Sequence, residues 1–183
     1  LNSAIMQTSF PANYYEGKKI IKTQDNNYVV LGGYATGLTT GHDIALLKVN
    51  SLNAKVWLKK LVGPNEEYGM DIAEDKTDGG LVIAGTDSVT LSGKREAIVI
   101  KTDKNGVFVW GSKLPFTEDA VVTSLIQITS SDDFIVTGFF ARSLVPAGVS
   151  PTIFVATIGN VGGSLKSLDY YSRGNILSVN ISS

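Results

Sequence analysis

The sequence predicts an all-β chain of tandem four-stranded units, and three observations carry that expectation. A short apolar segment ending in glycine occurs three times: Tyr28-Val29-Val30-Leu31-Gly32, Leu81-Val82-Ile83-Ala84-Gly85 and Phe134-Ile135-Val136-Thr137-Gly138. The glycines fall at 32, 85 and 138, a constant step of 53 residues. Other columns keep that step. Upstream stand Ile20, Ala73, Ile126 and Val179, and the turn pairs Asn26-Asn27, Gly79-Gly80 and Asp132-Asp133 recur. Downstream, Lys48 maps onto Lys101, Asn50 onto Asp103 and Trp57 onto Trp110. Finally, the apolar runs are short, rich in Val and Ile and separated by turn residues, and no segment shows sustained helical periodicity with caps.

In the second repeat, strand a is expected over 69–75 and strand b over 81–86. Strand c is expected over 96–102 and strand d over 107–113. Asp78-Gly79-Gly80 and Asn105-Gly106 supply residues that tolerate positive φ in tight hairpins. Strand b is apolar at nearly every position, as when both faces of a sheet are covered. Four antiparallel strands per repeat without a helix match a β-propeller blade, whose known periods run from ~40 to ~50 residues. A β-sandwich offers no reason for a fixed step. In the third repeat the downstream half drifts by about two residues, with the gap around Pro146 to Pro151.

The expected partition is one propeller fragment. Strand d of a preceding blade lies in 1–14 (its core over 4–8), blades span 15–67, 68–120 and 121–175, and strand a of a following blade lies in 176–183. Three repeats do not make a ring, so further blades or another chain are expected to complete it. The chain starts Leu1-Asn2-Ser3-Ala4, with neither an initiator Met nor a signal-peptide pattern, so its natural start is expected upstream.

Composition narrows the function classes. With 43% hydrophobic and 18% charged residues the chain can build a core. A net charge of −1, from 16 Lys and Arg against 17 Asp and Glu, offers no basic footprint for nucleic acid and no polybasic run for a membrane surface. The absence of cysteine excludes disulfides, thiolate nucleophiles and zinc–thiolate sites. No apolar run approaches the roughly 20 residues of a membrane-spanning helix.

Lys76-Thr77-Asp78-Gly79-Gly80-Leu81-Val82-Ile83-Ala84-Gly85-Thr86 resembles the "DGGYIVAGYT" core of a bacterial propeller-type repeat family of secreted and surface proteins. Val62-Gly63-Pro64-Asn65-Glu66-Glu67-Tyr68-Gly69 is similar to that family's acidic "DDYG" junction. Lys101-Thr102-Asp103-Lys104-Asn105-Gly106-Val107-Phe108-Val109-Trp110 matches its strand c to d hairpin. The likeness covers nearly the whole chain and is weakest after Ala141. It implies export to the bacterial surface or medium, and it specifies a blade rather than an activity. The hairpin Gly and Trp also show a weaker likeness to repeats of the pyrroloquinoline-quinone dehydrogenases.

Candidate chemistry is sparse. The single histidine, His42 in Gly41-His42-Asp43, would have to serve any Ser-His-Asp triad. It reads as an exposed loop residue beside a strand start. One histidine excludes a histidine-rich metal site, though not a calcium site of oxygen ligands. Asp75-Lys76-Thr77-Asp78-Gly79 and Asp103-Lys104-Asn105-Gly106 lack EF-hand spacing and sit at hairpins, so turn chemistry explains them better. Glu66-Glu67 and Glu118-Asp119 could be catalytic carboxylate pairs. Yet Glu66 and Asp119 are 53 apart, which favours a structural role as acceptors for loop amides. Trp57 and Trp110 read as core packing before carbohydrate stacking. Gly32-Gly33 and Gly79-Gly80 lead into strands, so they form no phosphate-cradling loop.

No catalytic, cofactor-binding or metal-binding residue is therefore assigned. The expected function is a non-catalytic recognition or scaffold propeller of an exported bacterial protein, binding protein or glycan. The alternative is part of an enzyme or cofactor-binding propeller whose active site lies in blades not present. The a–b and c–d connections (25–27, 78–80, 50–53 and 103–106) are short. The b–c connections (35–42, 87–95, 141–151) and the d–a connections (62–68, 115–120, 169–175) are longer and should emerge on one face. That face is expected to carry His42, Tyr68, Arg95, Arg142, Tyr170, Tyr171 and Arg173.

Overall fold

The computed structural model describes residues 13–36, 41–89, 93–141, 152–172 and 175–180. Among them every regular element is a strand, and no helix is long and apolar enough to cross a membrane. The first sheet contains β1 (Asn13–Lys22), β2 (Tyr28–Thr36), β3 (His42–Val49) and β4 (Lys55–Leu61), hydrogen-bonded in chain order. The second contains β5 (Glu66–Glu74), β6 (Leu81–Val89), β7 (Lys94–Thr102) and β8 (Phe108–Lys113), in the same order. The third is built likewise from β9 (Asp119–Gln127), β10 (Phe134–Ala141), β11 (Thr152–Ile158) and β12 (Leu165–Ser172), and β13 (Asn175–Asn180) adds a fifth strand. All pairings are antiparallel. The expected all-β repeat of four-stranded sheets is thus observed.

The glycine column has a steric cause. Each of β1, β5 and β9 carries a bulge opposite Gly32, Gly85 or Gly138. The bulge brings a backbone carbonyl over the glycine. A Cβ at Gly32 would lie 1.8 Å from the Glu16 oxygen, one at Gly85 2.4 Å from the Tyr68 oxygen, and one at Gly138 2.1 Å from the Val121 oxygen. No side chain fits, so glycine recurs. The a–b turns repeat as well. Asn26, Gly79 and Asp132 all have positive φ, at 58°, 72° and 59°, the region glycine, asparagine and aspartate tolerate best.

Three expectations need correction. The first a–b hairpin is one residue shorter than the second, since Lys22 pairs with Tyr28 whereas Glu74 pairs with Leu81. Strand a therefore aligns at 52 rather than 53 there. The residue matching Ala73 and Ile126 is Ile21, not Ile20, because a one-residue slip exchanges the two faces of a strand. In the third repeat strand c is offset by three residues and strand d by four, rather than about two. Gly85 pairs with Ile98, and Gly138 with Phe154. Lastly, the segment expected to open a following sheet lies, over Asn175–Asn180, along β12 instead. The expected strand at 4–8 lies outside the described residues.

The sheets stack face to face. Val29, Leu31, Ile44 and Leu46 of the first sheet meet Ile72, Leu81 and Ile83 of the second in one buried core. Val82, Ala84, Ala97 and Val99, on the second sheet's other face, meet Val122, Leu125, Val136 and Phe154 of the third. Covering both faces of β6 explains its unbroken apolar run. At the ends of the stack the same positions lie open. Ile20, counterpart of the buried Ile72 and Leu125, is 60% exposed, and Ile126, counterpart of Ala73, is 58% exposed.

Polar contacts fix the stacking, and they also repeat. Lys19, Asp71 and Ser124 occupy matching positions just after the bulges of β1, β5 and β9. The buried Asp71 carboxylate accepts hydrogen bonds from Lys19 Nζ, from Ser124 Oγ at 2.8 Å, from the Leu125 amide at 2.9 Å and from the Ile72 amide at 2.7 Å. At the opposite end of strand a, the Gln24 amide donates to Glu74 Oε2 at 2.8 Å, and the Lys76 amide to Gln127 Oε1 at 2.9 Å. Trp57 and Trp110 each lie against the hairpin glycine of the next sheet. A Cβ at Gly106 would come within 3.2 Å of the Trp57 ring, and one at Gly163 within 2.4 Å of the Trp110 ring. The expected packing role of the tryptophans is thus seen in place.

Removing the shared acceptor should therefore cost far more than removing a hairpin acceptor. Asp71→Ala strands a lysine, a hydroxyl and a buried amide, and is expected to lower stability by about 3 kcal/mol. Asp103→Ala, at an exposed hairpin where Asn105 and Val107 amides donate at 2.8 Å, is expected to cost about 1 kcal/mol. Urea unfolding of the two variants checks the order, and equal losses would contradict the assigned role of Asp71.

Candidate functional site

The strands run further than the sequence patterns suggest, and this relocates the expected loop residues. Ala35 pairs with His42 and Ser88 with Arg95, so His42 opens β3 and Arg95 lies within β7. Tyr68 lies within β5, and Tyr170 and Tyr171 within β12. None of these five is a loop residue, because ladder pairing continues to the ends of the hairpins. Arg142 and Arg173 lie outside the described residues.

These residues have different neighbours. His42 and Tyr68, from adjacent sheets, have ring centroids 5.1 Å apart, and Lys18 Nζ lies 5.3 Å from the Tyr68 centroid. Arg95 is tied to the start of the third sheet: its amide donates to Asp119 Oδ1 at 3.1 Å, and its guanidinium pairs with Asp119 Oδ2 at 3.4 Å. Tyr170 packs into an aromatic cluster with Phe140 and Phe116. Tyr171 is exposed, but it matches Leu114, which the third sheet buries; its exposure is that of the last sheet's outer face.

At the same end as His42 and Tyr68 stands a group of acids between the first two sheets. Asp43, Glu67 and Asp87 are 8%, 7% and 4% exposed. Asp43 comes from β3, Glu67 from β5 and Asp87 from β6. Burial raises the Glu67 carboxyl; the hydrogen bond with Asp43 and the charge of Asp87 add to this, against the opposing Gly63 amide, and it is pushed up to about 7. The Gly63 amide donates to Glu67 Oε2 at 3.2 Å. Two hydrogen-bonded carboxyls require a proton between them, so Glu67 holds one well above the usual carboxylate range. Asp87 Oδ2 accepts from Lys113 Nζ at 2.8 Å and from Asn65 Nδ2 at 3.2 Å, whereas Asp87 Oδ1 is buried without a hydrogen-bond partner. Among the described residues no three such side chains converge as a metal's ligand set would.

Sequence reasoning set Glu67 aside as structural and did not single out Asp43 or Asp87. A usable signal existed in the failure of the repeat. Glu67 matches Tyr15 and Ala120, Asp87 matches Tyr34 and Phe140, and Asp43 matches Glu96 and Thr152. Positions that carry an acid in one sheet and a ring or methyl in another are not needed for the repeat itself. Beside them, the Tyr15 and Tyr34 rings lie 4.9 Å apart, with Lys60 Nζ 3.3 Å from the Tyr34 centroid.

The raised Glu67 carboxyl sets a pH dependence. The folded chain holds this proton up to about pH 7, whereas an unfolded glutamate releases it near 4.5. Protonation therefore contributes stability fully below about pH 4.5, and that contribution is lost as pH rises through about 7. Glu67→Gln cannot titrate. Its urea midpoint is expected to fall less than the wild type's between pH 5 and pH 8, and an identical fall would show that Glu67 does not carry the effect.

No family model matches the chain, and no curated protein matches it either. Among solved structures, an N-acetylgalactosamine deacetylase from F. plautii, in complex with blood group B trisaccharide, has a similar fold, with a TM-score of 0.56 at 8% sequence identity. The likeness covers 85% of this chain and 52% of that one, so the chain spans about half the length of this neighbour.

Proposed function

We propose that the three stacked sheets are blades of a β-propeller in an exported bacterial protein, and that the domain is a non-catalytic recognition module for glycans. The observation that carries the glycan reading is the pairing of His42 and Tyr68 across two sheets, with rings 5.1 Å apart. Both lie at the end from which the b–c and d–a connections emerge. Next to this pair stand hydrogen-bonding groups of the kind a polyhydroxylated ligand needs. Tyr68 Oη donates to Glu66 Oε2 at 3.0 Å. Flat rings supply contact area for the apolar faces of a sugar, and carboxylates and amides accept or donate to its hydroxyls.

Two further points support the reading. The similarly folded deacetylase is described in complex with a trisaccharide. The apolar outer faces at Ile20 and Ile126, whose counterparts are buried between sheets, suit continuation of the stack by further blades. The export assignment rests on the repeat-family resemblance.

Screening the domain against an immobilised glycan array, followed by calorimetric titration of the best glycan, tests the proposal. Tyr68→Ala and His42→Ala are each expected to weaken binding at least tenfold, about 1.4 kcal/mol. Tyr171→Ala, on the last sheet's outer face, is expected to leave it unchanged. Absence of binding to any glycan, or wild-type affinity in both ring variants, would overturn the assignment.

A further inference from the structure

The two boundaries between sheets are built from matching positions but are filled in opposite ways. Between the second and third sheets, Phe116 packs against Phe140, Phe154 and Tyr170, with ring centroids 5.2, 4.6 and 6.2 Å away. Leu168 is buried beside them. At the first boundary Gly63 stands for Phe116 and Asp87 for Phe140, both at the repeat step of 53. Strand pairing puts Ile98 in place of Phe154, Lys113 in place of Tyr170 and Gly111 in place of Leu168. All five of these replacements line a cleft of about 660 Å³ between the first and second sheets. That volume is within the range of small-molecule sites. Leu61, Val62, Ile100 and Phe108 add apolar wall.

The charge of the lining is positive. Lys59, Lys60 and Lys113 belong to it, together with Glu67 and Asp87. Glu67 holds a proton up to about pH 7, so below that Asp87 is the ionised carboxylate of the lining. Asp87 is taken by Lys113, which also pairs with Glu96 at 2.6 Å. Lys60 Nζ is occupied over the Tyr34 ring. Lys59 makes no ion pair among the described residues. It acts on Asp103 through space, and that carboxylate already accepts from the Asn105 and Val107 amides.

Lys59 also departs from the repeat. Its position in the second sheet holds Ser112, whose hydroxyl donates to the Gly163 carbonyl of the third sheet at 2.5 Å. At the first boundary the matching hairpin glycine is Gly106, and a Cβ there would lie 2.8 Å from Lys59 Cγ. The lysine stem thus lies against the hairpin, on the cleft wall. Stacking is served by a short hydroxyl at the neighbouring boundary, so packing does not account for an ammonium here. Beside an apolar cleft, such a charge favours a ligand that joins an apolar body to an anion.

We propose that this cleft is a binding site for an aromatic carboxylate. Its ring occupies the space that aromatic side chains fill at the neighbouring boundary, and its carboxylate accepts from the Lys59 ammonium. The site is separate from the His42 and Tyr68 pair and does not depend on glycan recognition.

Titration of the isotope-labelled chain with 3-phenylpropionate at pH 6, read from isoleucine methyl resonances, tests it. Saturable shifts are expected at Ile98 and Ile100, but not at Ile158 in the second boundary. 2-Phenylethylamine, with the same ring and the opposite charge, is expected to bind at least tenfold more weakly. Lys59→Met keeps the stem and removes the charge, and should weaken the carboxylate at least tenfold. Gly111→Leu introduces the residue of the filled boundary, at a place where a Cβ meets no atom closer than 3.4 Å. It should abolish the ligand shift at Ile100 while the Ile158 methyl reports an intact fold. No saturable shift at Ile98 and Ile100, or wild-type binding by Gly111→Leu, would overturn the site. Equal or tighter binding of the amine would overturn the anionic head group, and wild-type affinity in Lys59→Met would overturn its partner. Should either variant fail to fold, the comparison of carboxylate with amine on the wild-type chain still decides.

Discussion

Three sheets meet at one carboxylate. Asp71 sits at the bulge of the second sheet's first strand, receives Lys19 from the sheet before it, and holds Ser124 and the Leu125 amide of the sheet after it. Stacking requires that strands β1, β5 and β9 approach each other, and a close approach buries polar backbone that must find partners. Burial alone would raise the Asp71 carboxyl. The lysine, amide and hydroxyl donors outweigh that and hold it below the usual carboxylate range, so it remains a charged acceptor. The bulges that place Asp71 also force the glycine column, since each pushes a carbonyl into the space a side chain would need. One constraint thus accounts for both the most regular feature of the sequence and the geometry of the stack.

The hairpins show how a repeat can change residues and keep an interaction. Lys48 pairs with Asp25 at 2.7 Å, and Lys101, one period later, pairs with Asp78 at 2.7 Å. In the second sheet the lysine also reaches Asp75, a fully buried carboxylate. Burial works against the Asp75 charge, but the Lys101, Thr77 and Gln127 hydrogen bonds hold its carboxyl well below the usual range. The third sheet has Thr157 where the others have lysine, and it draws Lys166 from strand β12 onto Asp133 at 2.8 Å instead. An ammonium on a flexible stem can come from either strand, provided a turn carboxylate stands between them.

Where the repeat is not kept, the two boundaries diverge. The second is closed by a cluster of aromatic rings. The first replaces them with smaller or charged groups and retains three buried acids, one with an unmatched oxygen. A polar group kept in a place where a phenylalanine fits is a cost to stability. The proposed glycan site, the His42 and Tyr68 pair, lies at this boundary.

The sequence by itself determined the strands and their order. A step of 53, apolar runs of strand length and turn residues suited to positive φ are local properties, and local hydrogen bonding along adjacent hairpins turns them into four-stranded sheets. It also pointed to His42 and Tyr68, although as loop residues rather than strand residues. What it could not show was which side chains meet across sheets. Asp43 and Glu67 are 24 residues apart and Gly63 and Ile98 are 35 apart, and nothing in either spacing marks a contact. Their proximity follows from face-to-face packing of separate sheets, which depends on the combined shape of two whole surfaces. The tertiary structure alone therefore decided that Arg95 belongs to a sheet junction, that Tyr170 packs in an aromatic cluster, and that an open cleft lies where the neighbouring boundary is filled with aromatic rings.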